Sequence, residues 1–343
     1  MRLQILSTLF IIIYGFTLNG QNWNTLPQQE EELGLVHWSR SYEESKIIAA
    51  REDKPLFILF QEVPGCSTCK NYGNNLLTHP HIKEAIETYF VPLVIFNNKG
   101  GKDAEILSKF NEPSWNNPVV RIIEYSTEKD IIKRLNGRYD MESLIETITN
   151  GILASNKLIP EYLELLQQAC ASRDLRETHL AMYCFWSGEK NMGNLEGVIE
   201  TQAGFMNGSE VVKIKYDASR LNEKELLAYA SERKCADALY SNDQREISAA
   251  KKLKLKTKKK GKFSADTQPK YYIFNTAYKF LPMTGLQALK VNAALSNGTS
   301  PDEFLSPRQL EVLKMIENKK IDSSIAIDQN FTMMWNKLFN HWN

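Results

Sequence analysis

The sequence predicts two consecutive domains of mixed α and β structure, the first of the α/β class. Three observations carry this. Between residues 42 and 153, apolar strand-like runs alternate with helical stretches, and a proline opens a late strand. The pair Cys66 and Cys69 stands where one such run gives way to a helix. A second strand-to-helix switch carries Cys184, and 343 residues are enough for two separate cores.

The chain starts with Met1-Arg2, an apolar run from Ile5 to Leu18, then Asn19-Gly20-Gln21. This reads as a signal peptide over residues 1–20, cleaved after Gly20. The run falls short of the roughly 20 residues that a spanning helix needs, so an uncleaved anchor is the weaker alternative. The expectation is an exported protein, periplasmic or extracellular, with no stable membrane insertion. Composition is ordinary for a globular chain, with 43% hydrophobic and 24% charged residues. A net charge of +1 argues against a general nucleic-acid binder. Five cysteines, an odd number, leave at least one thiol without a partner in the chain. In an oxidising compartment that suits an exchanging sulfur better than a fixed disulfide framework.

The first domain is assigned to residues 21–153. A helix over Tyr42 to Arg51 leads to a strand from Pro55 to Phe60 and then the dithiol. Helical stretches to Thr88 precede a strand from Tyr89 to Phe96 and a helix from Asp103 to Phe110. Pro118 opens the next strand, a short strand is expected at Asp130 to Leu135, and a helix from Met141 to Leu153 closes the unit. Residues 154–177 read as a helical connector, 178–320 as the second domain, and 321–343 as a C-terminal helix or tail. In the second domain a strand runs from Thr178 to Tyr183, and Asn222 with Glu225 forms a capping box for the next helix. The stretch from Pro269 to Leu295 suggests a strand, a turn and a helix. The lysine-rich segment from Lys251 to Lys262 is expected as a solvated loop, with Leu253 and Leu255 touching the fold.

A Cys-x-x-Cys at a strand-to-helix junction puts the first sulfur at the helix N-terminus and the second one turn below. The helix end favours the thiolate of Cys66, which attacks, and Cys69 resolves the mixed disulfide. The competing readings are a structural disulfide or half of a zinc site. Zinc would need two further ligands, and His79 and His81, flanking Pro80, are the only paired histidines nearby. The surroundings resemble the thioredoxin superfamily: Lys54-Pro55-Leu56, the dithiol, and Asn117-Pro118 at the place of that family's cis-proline. The resemblance implies a thioredoxin-like fold, with Pro118 beside the disulfide in the substrate-binding position. The family's Trp-Cys-Gly-Pro-Cys is absent; Gly65 precedes the motif and Ser67-Thr68 fill it. Val63-Pro64-Gly65-Cys66 also resembles a thioredoxin-like family in which selenocysteine can stand at position 66 and threonine at 69.

The second cysteine motif is Cys184-Phe185-Trp186-Ser187-Gly188-Glu189, followed by Gly197-Val198 and by Glu210 to Asp217. In this order the residues resemble the A-type peptide methionine sulfoxide reductases. That resemblance implies a two-layer α+β domain. It casts Cys184 as the nucleophile, Glu210 as the acid, and Phe185 and Trp186 as walls of a methyl pocket. Cys235 is the candidate resolving thiol, and the Cys66/Cys69 pair would return electrons. The substrate would be oxidised methionine, free or in proteins, with a thiol or disulfide electron donor and no cofactor or metal. Several positions depart from the family. Met182-Tyr183 replace glycines, Gly204-Phe205 stands for Gly-Tyr, Gly208-Ser209-Glu210 for His-Ala-Glu, and the later His-Asp-Pro-Thr is missing. Tyr271 and Tyr272 are the phenols available to replace the lost hydroxyl. The alternative is a disulfide-exchange protein whose second domain only binds or scaffolds.

Overall fold

The computed structural model describes residues 29–320 and 324–340. The expected signal peptide lies outside the described residues, as do His341 and Trp342 of the tail. The first unit runs α1 (Tyr42–Glu52), β1 (Leu56–Gln61), α2 (Ser67–Tyr72), α3 (Pro80–Tyr89), β2 (Val91–Phe96), α4 (Lys102–Lys109), β3 (Val119–Ile123), β4 (Leu135–Asn136) and α5 (Met141–Ala154). The sheet order is β2-β1-β3-β4, with β1 parallel to β2 and antiparallel to β3. All six residues of β1 are buried, as a strand covered on both faces requires. Phe57 and Leu59 face one core with α3 and α5; Leu56, Ile58 and Phe60 face another with α1 and α4. This is an α/β sandwich, as the alternation predicted. The strand expected at Asp130 to Leu135 reduces to a bridge from Asp130 to Ile123 and the two residues of β4.

α6 (Glu161–Cys170) joins the units. It gives Tyr162, Leu163 and Leu166 to the first core and Leu165 to the next. The second unit continues β5 (Leu175–Ala181), α7 (Phe185–Gly193), β6 (Val198–Met206), β7 (Ser209–Asp217), α8 (Glu223–Glu232), β8 (Ala238–Tyr240), α9 (Gln244–Lys252), β9 (Lys256–Lys258) and β10 (Ser264–Ala265). Its sheet order is β10-β6-β7-β5-β8-β9. Asn207 and Gly208, both at positive φ, make the tight turn between β6 and β7. Asn222 and Glu225 form the expected capping box on α8. Side chains of α7, α8 and α9 cover one face of the sheet, so this unit is two-layer α+β.

α10 (Tyr271–Phe274), α11 (Gly285–Asn297), α12 (Pro307–Glu317) and α13 (Phe331–Asn340) follow. α10 replaces the strand expected after Pro269, because Lys270 turns into the left-handed region at φ 52 and starts a helical turn. The lysine segment is exposed at β9, while Leu253 and Leu255 rest against the second core. Among the described residues no helix is long and apolar enough to cross a membrane.

Candidate active site

Cys66 is the N-cap of α2, exposed to solvent, and Cys69 lies one turn below it, fully buried. Their sulfurs are 3.8 Å apart, within easy reach of disulfide closure. The backbone N–H of Cys69 first, and then that of Thr68, donate to the Cys66 sulfur and hold its thiol below the ordinary value. Burial pushes the Cys69 thiol the other way, up to about 12. The Cys69 thiol donates to Asn117 Oδ1 at 2.8 Å, which brings the cis Asn117–Pro118 peptide to the dithiol.

The loop before the motif is braced on both sides. Gly65 N–H donates to Glu32 Oε1 at 2.7 Å, and Val63 N–H donates to Asn98 Oδ1 at 3.3 Å. A side chain at Gly65 would run into the Glu62 carbonyl and the Cys69 Cβ, which explains glycine there. Glu62 is the residue that sequence reasoning missed. One donor atom from each of Glu62, Cys66 and Cys69 lies within 4.8 Å of the others. His79 and His81 are elsewhere: His81 is buried, with Nε2 3.0 Å from Gln287 Oε1 and its ring 4.6 Å from Phe331.

Cys184 occupies the N-cap of α7, partly exposed, and its side chain makes no capping hydrogen bond. The cap is supplied by Glu210, whose Oε2 accepts from Phe185 N–H at 3.0 Å. The acid and the cysteine thus share one helix end. Tight β5–β7 pairing sets this, together with Met182 N–H donating to the Glu210 carbonyl at 3.2 Å. Phe185 is buried in the second core, with its ring 5.3 Å from Phe205. Trp186 lies at the core's edge and stacks on Tyr271 at 4.0 Å. Burial, above all, raises the Tyr272 phenol. Burial likewise raises the Cys235 thiol. Asn191 Nδ2, from α7, donates to the Cys235 sulfur at 2.9 Å. A cavity of about 330 Å³, lined by Tyr183, Glu210, Asp237, Lys256 and Lys258 among others, opens beside Glu210; Cys184 does not line it.

Tyr271 and Tyr272 are held by a buried ion pair. Lys270 Nζ lies 3.1 Å from Glu189 Oε1 of α7, both side chains being almost fully enclosed. It also donates to the Thr201 carbonyl, while Thr201 Oγ1 donates to Glu189 at 3.1 Å.

An exposed low-pKa thiol, a buried partner one helical turn away and a cis-proline beside them define, in such a fold, a thiol–disulfide oxidoreductase module. Residues 37–124 match the family model described as thioredoxin-like, and this part of the chain has that fold. Two curated relatives are the peptide methionine sulfoxide reductases MsrA of Clostridium botulinum strains Hall and Kyoto. Each is 34% identical over 70 residues, covering 16% of this chain and 45% of the relative. The chain therefore spans less than half the length of those relatives. Among solved structures, a DsbH oxidoreductase is similar at 13% identity and a TM-score of 0.30, over 38% of this chain and 93% of its own.

Proposed function

We propose that the chain is a two-module thiol oxidoreductase that reduces methionine sulfoxide at Cys184, with the Cys66/Cys69 dithiol returning the electrons. The observation that carries this reading is the shared end of α7, where the Glu210 carboxylate lies on the backbone N–H next to Cys184. Cys184 attacks the sulfoxide sulfur, Glu210 delivers a proton to its oxygen, and the S–O bond breaks. Methionine leaves and Cys184 becomes a sulfenic acid. Cys235 condenses with it, releasing water and forming a disulfide. Cys66 then attacks that disulfide, and Cys69 closes on Cys66. Tyr272 is the phenol available to take the place of the hydroxyl that Phe205 lacks.

The test uses purified protein with dithiothreitol and a methionine sulfoxide substrate. Turnover is expected, with none in Cys184→Ser. Absence of turnover in the wild type removes the reading.

Two observations favour a second reading, disulfide exchange by Cys66/Cys69 alone: Phe205 carries no hydroxyl, and Cys235 is buried. Insulin reduction that survives Cys184→Ser, with no sulfoxide turnover, selects it. In either case residues 1–20 act as an export signal. A mature N-terminus at Gln21 is expected, and an intact Met1 in the cell envelope refutes cleavage.

A further inference from the structure

The geometry points to a zinc-binding state of the reduced dithiol, in which Glu62, Cys66 and Cys69 hold Zn²⁺ and leave one position open. This does not depend on the chemistry at Cys184. It rests on three donor atoms that already converge, each within 4.8 Å of the others.

The sulfur spacing is compatible with a shared ion. With zinc–sulfur bonds of about 2.3 Å, a tetrahedral angle places two sulfurs roughly 3.8 Å apart, and a linear two-sulfur site would need about 4.6 Å. The observed separation is 3.8 Å. The two sulfurs therefore need not move apart to become half of a tetrahedral site, and Cys69 exchanges its hydrogen bond to Asn117 for the ion. Glu62 is half-buried and provides the oxygen that the sequence motif lacks. The loop from Glu62 to Cys66 is held in place before any ion arrives. Glu32 accepts from Gly65, and Asn98 accepts from Val63 and donates to the Pro64 carbonyl at 3.2 Å. Such outer supports give a metal site its preorganisation. Cys66 is exposed and provides the entry side.

Two sulfurs and one carboxylate suit a borderline-soft divalent ion better than calcium or magnesium, which take all-oxygen shells. Three protein ligands with a fourth place for water describe an exchangeable site, not a closed structural one. Binding displaces the thiol protons and changes no oxidation state. A disulfide engages both sulfurs with each other, so the zinc-bound and oxidised forms exclude one another. Zinc would thus hold the module reduced and block exchange.

The experiment titrates the reduced full-length chain anaerobically with Zn²⁺ against a chromophoric chelator, with Co²⁺ as the spectroscopic probe. One tight equivalent is expected, with thiolate-to-cobalt charge transfer, and insulin reduction should stop as that site fills. Cys66→Ser and Cys69→Ser should remove the equivalent, and Cys184→Ser should keep it. Glu62→Gln should weaken it by roughly 10–100-fold, and Glu62→Asp, one methylene shorter, serves if the glutamine variant folds poorly. Unchanged affinity in both Glu62 variants overturns the site. So does binding by the oxidised chain, or loss of the ion in Cys184→Ser.

Discussion

Cys66 and Cys69 are one helical turn apart and chemically opposite. Backbone N–H groups hold the first thiol low, while enclosure pushes the second up to about 12. Alkylation of the reduced chain at about pH 7.5 should therefore mark Cys66 and spare Cys69, since the ordinary thiol sits near 8.5. Equal labelling of the two, read by peptide mass spectrometry, contradicts the assignment. At the other sulfur, Glu210→Gln should lower kcat for sulfoxide by roughly 100-fold or more, with little change in KM, because a general acid acts in the transition state. Loss confined to KM would make Glu210 a binding group instead. The positions of Cys66 and Cys184 were legible in the sequence because a helix start is a local property, set by the preceding strand and the following turn. Glu62 was not, because its carboxylate meets the sulfurs through the path of a braced loop that no residue spacing encodes.

At the scale of elements, the contact that anchors Tyr271 beside Trp186 is a long-range one. Lys270 and Glu189 are 81 residues apart in sequence, yet both are almost fully enclosed. Pro269-Lys270-Tyr271-Tyr272 reads as a strand by its composition, and the left-handed turn at Lys270 makes it a helix start instead. That turn delivers the ammonium to α7 and lays Tyr271 on Trp186. Removing one partner strands a charge in the interior. Lys270→Met should cost about 3–5 kcal/mol in urea unfolding, and adding Glu189→Leu should recover much of it. A loss under about 1 kcal/mol would show that water reaches the pair. The capping box on α8 was legible in advance, since its two residues lie three apart. Asn222→Ala should cost about 1 kcal/mol in the same assay.

At the scale of the whole molecule, α3 ties the first unit to the C-terminal helices. His81 contacts Gln287 and Phe331, and Glu84 Oε1 accepts from Arg308 N–H at 2.9 Å. Burial pushes the Glu84 carboxyl up to about 7. An acid raised in the folded state stabilises fully below its unfolded value, near 4.5, and loses that contribution as pH climbs through 7. Across that window stability should fall by about 1.4 kcal/mol per pH unit from this group. Glu84→Gln should flatten the slope; an unaltered pH profile of thermal unfolding places the titration elsewhere. The mixed α and β character of the chain was legible from strand and helix alternation. The junction was not, because its partners are far apart along the chain and each reads as an ordinary surface residue of its own helix.

The connector has a consequence of its own. α6 turns Tyr162, Leu163 and Leu166 one way and Leu165 the other, so neither interior is sealed without it. Cutting the gene on either side of residues 161–170 leaves one product with an oily, wetted flank. Such fragments are expected to precipitate when made alone and to dissolve when the two are produced together.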